Sequence, residues 1–221
     1  MNYAVVIPAQ NESRYHVKGD LAPLGHLSLL EWKIIQLKQV FNPSILFVAS
    51  SAREIESICV RAGVGFILRK NGLPFCEVIT EVVQQIKEEI VIWANVTAPF
   101  IYPQTYADMV HAFLHLGAEH DSLISVKCLN EYLAFDDHPI NFNFDHHTER
   151  SALAAVHCFS NGCYIQKRKS MLERNTLFGA RPFYYELDSF QALEVKDLRD
   201  LTVMNHLIAH YFSTQTSVSD D

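Results

Sequence analysis

The chain has 221 residues, 49% of them hydrophobic and 19% charged: enough apolar material for one sizeable core and a composition that excludes wholesale disorder. A formal net charge of −7 excludes a general nucleic-acid surface, which needs clustered Lys and Arg, but leaves room for one local cationic pocket. Met1-Asn2-Tyr3 carries no basic leader, and no apolar run approaches the roughly 18 residues of a membrane span, so the expectation is a cytoplasmic protein without a membrane segment.

The first element is a β-branched apolar run, Ala4-Val5-Val6-Ile7, which breaks at Pro8 into a polar loop carrying Arg14 and Lys18. A buried strand that releases such a loop toward a helix is where open α/β sheets place ligands, and free N–H groups with two cations suit a triphosphate. An ordinary strand and turn would look similar. Residues 27–40 have helical spacing, with Leu30, Ile34, Leu37 and Val40 or Phe41 on one face. Residues 44–49 form a buried strand, and 52–62 a helix closed by Gly63. A short strand at 64–68 precedes a helix at 74–87, with Val78, Ile79, Val82, Val83 and Ile86 apolar. The strand at 89–93 ends in the polar segment Asn95-Val96-Thr97-Ala98-Pro99.

A helix over 103–116, with Pro early where its missing N–H costs nothing, leads to a strand at 121–126. Residues 129–155, rich in Asn, Asp and His, read as an inserted arm or hairpin that could serve a dimer contact. A strand over 157–166 is interrupted at Asn161-Gly162; then come a short helix at 170–174, a strand at 183–187 and a last helix at 197–210. Residues 213–221 read as a polar, disordered tail. The alternation implies an α/β, Rossmann-like fold, with a mostly parallel twisted sheet and helices on both faces of one domain spanning 1–212.

Five scattered cysteines (Cys59, Cys76, Cys128, Cys158, Cys163), without CxxC, fit a reducing compartment, and four lie in apolar, strand-like or helical surroundings. Eleven histidines show no HExxH-like spacing, so a histidine metal site is not expected.

Six segments in order resemble the acylneuraminate cytidylyltransferase (CMP-sialic acid synthetase) family and its KDO and pseudaminate relatives. They are Ile7-Pro8-Ala9-Gln10-Asn11-Glu12-Ser13 with Lys18-Gly19, Pro23-Leu24-Gly25 with Trp32, Arg69-Lys70-Asn71-Gly72-Leu73, Asn95-Val96-Thr97-Ala98-Pro99, Asn161-Gly162-Cys163-Tyr164, and 194–200. The resemblance implies the nucleotide-diphospho-sugar transferase fold and a reaction of CTP with a sialic-acid-like or other 3-deoxy-2-keto sugar acid, giving the CMP-sugar and pyrophosphate. It implies a triphosphate cradle at Ala9, Gln10, Asn11 and Ser13, with Arg14 and Lys18 as catalytic cations. Arg69, Asn95 and Thr97 would read the cytosine, and Asn161, Tyr164 and Phe178 would line the sugar pocket. Glu194 would hold Mg²⁺. A homodimer joined by the arm is also implied.

The chain departs from that family pattern. Gln10 replaces an Arg, Glu12 a glycine, Gly19 an Asn, and Lys196 an Asp of the expected metal pair. A carboxylate at Glu12 repels phosphates by about 1 kcal/mol near a surface unless it turns outward or meets a cation. Lys196 cannot ligate a metal. Structural roles compete throughout: Thr97 and Pro99 suit a strand-end turn, Asn161-Gly162 a bulge, Tyr164 the core, and Asp197 and Asp200 the first turn of the last helix. Two further functions stand beside the synthetase reading. One is a non-catalytic homologue that binds nucleotide or sugar. The other is a GT-A glycosyltransferase, for which Asp136-Asp137 would be the carboxylate pair.

Overall fold

The computed structural model of the chain describes residues 2–216, with side chains through 212. In order it contains β1 (Tyr3–Pro8), a small hairpin of β2 (Pro23–Leu24) and β3 (Leu27–Ser28), α1 (Leu29–Lys38), β4 (Leu46–Ser50), α2 (Glu56–Ala62), β5 (Gly65–Leu68), α3 (Phe75–Gln84) and β6 (Ile90–Ala94). Next come α4 (Pro103–Leu114), β7 (Ser122–Leu129), a second small hairpin of β8 (Ala134–Phe135) and β9 (His138–Pro139), β10 (Val156–Lys167), α5 (Arg168–Arg174), β11 (Pro182–Glu186) and α6 (Leu198–Thr216).

Seven strands form one sheet in the order β11-β7-β10-β6-β1-β4-β5. β1 pairs in parallel with β4 and β6, β4 with β5, and β11 with β7, while β10 runs antiparallel to both its neighbours. Side-chain alternation along the strands divides the core into two layers. Val5, Ile7, Ile90, Ile92, Cys163 and Ile165 pack with α1, α2, α4 and α6 on one face. Ala4, Val6, Val91, Trp93 and Tyr164 pack with α3 and α5 on the other. Near-continuous apolar strands are what a sheet covered on both faces requires.

Several boundaries differ from the sequence expectation. The helix expected from residue 27 begins at Leu29, because Ser28 caps it: the Ser28 hydroxyl accepts from Glu31 N–H, and Glu31 accepts back from Ser28 N–H. The helix expected from residue 52 opens with a 3₁₀ turn over Arg53–Ile55, and Gly63 ends it at φ 71°, as its sequence position implies. β10 is not broken at Asn161-Gly162 but continues through a register irregularity. The last helix runs on to Thr216, so residues 213–216 are helical rather than tail, while 217–221 lie outside the described residues.

The 129–155 segment is mostly exposed and holds the β8–β9 hairpin, whose two-residue turn is Asp136-Asp137, with Asp136 at φ 48°. That turn gives the pair a structural role. Only Cys59 and Cys163 are buried, so the expectation that four cysteines act as core hydrophobes is corrected to two; all five are free. No described helix is long and apolar enough to cross a membrane.

Candidate active site

The loop after β1 is fastened from inside by Asp20, a residue that sequence pattern does not single out. Its carboxylate accepts from Gln10 N–H at 2.7 Å and from the Tyr15 hydroxyl, and its own N–H donates to the Gln10 carbonyl at 2.8 Å. Burial outweighs the bonds from Tyr15 and Gln10, which favour the ionised form, and leaves the Asp20 carboxyl raised to about 6. Gly19 stands beside it at φ +49°, and a Cβ there would lie 2.4 Å from the Gln10 carbonyl oxygen and 2.6 Å from Glu12 N. The family resemblance places Asn at this position; Asn and Gly share tolerance of left-handed backbone, but only Gly fits the approach seen here. Ala9 is buried, its N–H bonded to the Ala49 carbonyl, and Ser13 N–H donates to the His16 carbonyl. Asn11 donates to Glu54 at 3.0 Å.

A second segment, 95–101, follows β6 and is held from below by α1. Its buried carbonyls need partners, and three polar side chains of α1 supply them. Trp32 Nε1 donates to Pro99 O at 2.7 Å, Lys33 Nζ to Ala98 O at 2.6 Å, and Gln36 Nε2 to Pro99 O at 2.7 Å and Ile101 O at 3.2 Å. Lys33 Nζ also donates to the Tyr106 hydroxyl at 2.8 Å, and its ammonium is wholly buried. Burial lowers the Lys33 amine to about 7.

Above this platform lies a polar cluster. Asn95 donates through Nδ2 to Asn161 O and Oδ1 at 2.8 and 2.9 Å, and its Oδ1 accepts from Trp93 Nε1 at 3.2 Å. Tyr164 donates to Asn161 Oδ1 at 3.0 Å, and Asn161 donates to Glu194 Oε1 at 2.7 Å. Glu194 Oε2 is 3.8 Å from Lys196 Nζ. Asn161 takes φ 51°, and a Cβ on Gly162 would sit 2.4 Å from Ile101 Cδ1; the Asn-Gly pair therefore serves both the strand irregularity and the cluster. Asn95 N–H donates to Gly162 O, and Val195 N–H to Thr97 O, so β6, β10 and the 194–197 segment are tied together. The Thr97 hydroxyl is buried with no hydrogen-bond partner among the described residues.

The sequence-derived residues thus fall into groups. Asn95, Thr97, Asn161, Tyr164 and Glu194 lie in the tied segments, and the half-exposed ring of Phe178 packs at 5.8 Å from that of Tyr164. Ala9, Gln10, Asn11 and Ser13 belong to the Asp20-fastened loop. Arg14, exposed on that loop, is near enough to Asp197 to favour its ionised form, although backbone N–H bonds from Asp200 do more. Asp197 Oδ1 accepts from Arg199 and Asp200 N–H, the N-terminal turn role its position implies.

Lys18 is exposed and lines an open hollow with Asn11, Glu12, Glu31 and Glu54. Arg69, just past β5, is half-buried and donates to the Lys70 carbonyl at 3.1 Å. Hydrogen bonds and ion pairs among the described residues join neither of them to the Asn95 cluster.

No family model matches the chain, and no curated protein does. Solved structures do: CMP-2-keto-3-deoxy-manno-octonic acid synthetase complexed with CTP shares 14% identity and a TM-score of 0.72, over 95% of this chain and 99% of that one. The 4-diphosphocytidyl-2C-methyl-D-erythritol synthase of Anaerococcus prevotii shares 10% identity and a TM-score of 0.67, over 94% and 96%. A cytidylyltransferase from Leptospira borgpetersenii shares 14% identity and a TM-score of 0.66, over 99% and 94%. The chain shares the fold of these three enzymes. Within this fold the loop after β1 and the segment after β6 both leave the carboxyl ends of parallel strands, the position where open α/β sheets hold ligands.

Proposed function

We propose that the chain is a cytidylyltransferase that couples CTP to a sialic-acid-like or other 3-deoxy-2-keto sugar acid. A sugar hydroxyl attacks the α-phosphorus of CTP, the bond to the bridging oxygen breaks, and pyrophosphate leaves. Such transfers depend on positioning and charge stabilisation, since the protein has little covalent work to do. In the loop from Ala9 to Ser13 the N–H groups of Ala9, Gln10 and Ser13 hold the loop's own shape, so those of Asn11 and Glu12 take the phosphates, with Arg14 and Lys18 bringing charge from the exposed loop. Arg69, Asn95 and Thr97 read the base, and Asn161, Tyr164 and Phe178 face the sugar. The observation that carries this reading is the full-length likeness to a synthetase holding CTP, in a chain whose own loop is pre-shaped at Gly19 and Asp20.

Mg²⁺ is the cofactor the resemblance implies, and this donor set does not fit it. Mg²⁺ asks for oxygen ligands, commonly one or two carboxylates plus phosphate oxygens. Glu194 offers one carboxylate, with Oε1 bonded to Asn161 and Oε2 beside an ammonium. Lys196 therefore takes the place of a metal charge at this edge. Lys196→Asp is expected to increase the dependence of pyrophosphate release on Mg²⁺, and to make melting temperature respond to Mg²⁺. An unchanged metal response in both measurements removes the 194–196 segment from the site.

The same reading assigns the exposed arm, with Phe135 and Phe144 at its surface, to a homodimer contact. The test of function is pyrophosphate release with each of the four nucleoside triphosphates and a panel of nonulosonic acids and KDO. Release with CTP alone supports the proposal. Lys18→Ala is expected to cut kcat/KM for CTP by about 10- to 100-fold, below the loss for a fully sequestered donor, with KM for the sugar unchanged. A second reading is a non-catalytic homologue, favoured by the engagement of the Asn95 amide with Asn161 and Trp93. It predicts a CTP-dependent rise in melting temperature without turnover.

A further inference from the structure

Beside the residues assigned to the sugar, with the His157 ring 5.1 Å from that of Tyr184 and the Tyr184 ring 5.8 Å from that of Phe159, three strands bring together a thiol, an imidazole and a carboxylate. Cys128 near the end of β7, His157 near the start of β10 and Glu186 at the end of β11 place their donor atoms within 4.8 Å of one another. Among the described residues they are the one group of three such side chains. The register explains the meeting: His157 lies opposite Cys128 in the antiparallel β10–β7 pair, and β11 runs beside β7 with Glu186 opposite Val126, two residues from Cys128. Residues two apart on a strand point to the same face, so all three side chains project from one side of the sheet. His157 Nε2 is already 3.1 Å from Glu186 Oε1.

We propose that Cys128, His157 and Glu186 bind a borderline-soft divalent cation, with zinc the best match, at the neck of the 129–155 arm. Metal–ligand bonds of about 2.0–2.3 Å in a tetrahedron put ligand atoms roughly 3.3–3.6 Å apart, so short side-chain movements complete the site. A thiolate with an imidazole selects zinc over magnesium, which takes oxygen ligands. Zinc takes Cys128 as its thiolate, so binding releases a proton. Three protein ligands leave a fourth position for water or an arm residue. Cys128 and His157 flank the arm almost immediately on either side, so the cation closes the chain excursion at its base and joins it to β11. The role is structural.

The test uses the full chain, stripped with chelator and titrated with Co²⁺ and then Zn²⁺. The expected result is one equivalent of Co²⁺ with a thiolate-to-cobalt charge-transfer band, displaced by Zn²⁺ and indifferent to Mg²⁺. Cys128→Ser is expected to remove the band and weaken Zn²⁺ by about 100-fold or more, since loss of mere outer-shell partners costs 10- to 100-fold. His157→Gln is expected to weaken binding similarly, and Cys158→Ser, on a neighbouring exposed thiol, to leave it unchanged. Circular dichroism and melting without metal identify a variant that has failed to fold, in which case Zn²⁺ protection of the arm from proteolysis in the unmutated chain decides the matter. A wild-type chain without the band, a band that survives Cys128→Ser in folded protein, or an arm cut equally with and without Zn²⁺ overturns the proposal.

Discussion

Lys33→Ala is expected to destabilise the fold by about 2–5 kcal/mol, the range for truncating a large buried side chain to Ala. The side chain fills space in the core, so its truncation leaves a cavity, and it leaves the Ala98 carbonyl and Tyr106 hydroxyl short of a donor. Lys33→Met keeps most of the volume and removes the buried amine, so its cost is expected to be the smaller. The pH dependence separates the two effects. With the folded amine at about 7 and the free one at 10.5, the unfolded chain holds the extra proton between those values. Stability therefore climbs as pH rises from about 7 toward 10.5, and below about 7 this group contributes no further slope. Urea denaturation across that window should show the climb in the wild type and its loss in Lys33→Met. An equal slope in both would mean that the Lys33 amine titrates normally in the folded state.

Gly19→Ala is expected to abolish CTP binding while leaving the sheet folded. A methyl group at that position overlaps two backbone atoms of the loop, Gln10 O and Glu12 N, so neither can yield by turning a flexible side chain. The left-handed φ adds about 1 kcal/mol for any residue with a Cβ. The loop must therefore open, pulling Gln10 away from Asp20 and spreading the N–H groups assigned to phosphate. The measurements are a melting curve, expected to fall by only a few degrees, and CTP titration, expected to lose at least about 100-fold in affinity once both backbone donors are misplaced together. Retained affinity would show that the phosphates do not lie on this loop.

The strand and helix order was legible because each apolar run is bounded by a punctuating residue: Pro8, Gly63, and Pro103 at the first turn of α4. The turn-forming role of Asp197 was legible for the same reason. What pattern could not reveal were contacts made across the sheet. Lys33 shares the helical face of Leu30, Ile34 and Leu37, but that spacing does not say what its amine or the Gln36 amide would bond; both are buried because carbonyls some 65 positions later in sequence need them. Asp20 resembled any loop acid, and its signal was the glycine before it. Asn95 and Asn161 looked like independent ligand readers; only the antiparallel placement of β10 reveals that they bind each other. The Cys128–His157–Glu186 group escaped for the same reason, since metal spacing is sought along the chain and here it runs across three strands.

The central place of β1 has a consequence for biosynthesis. This strand leaves the ribosome before either of its neighbours and stays bare along one flank until residues 90–94 are made, and β6 in turn waits for residues 156–167. A nascent chain halted before that point presents an uncovered apolar ribbon with unpaired amides, the kind of edge that recruits other chains. Translation speed and chaperone coverage between those two landmarks therefore bear on the yield of native protein.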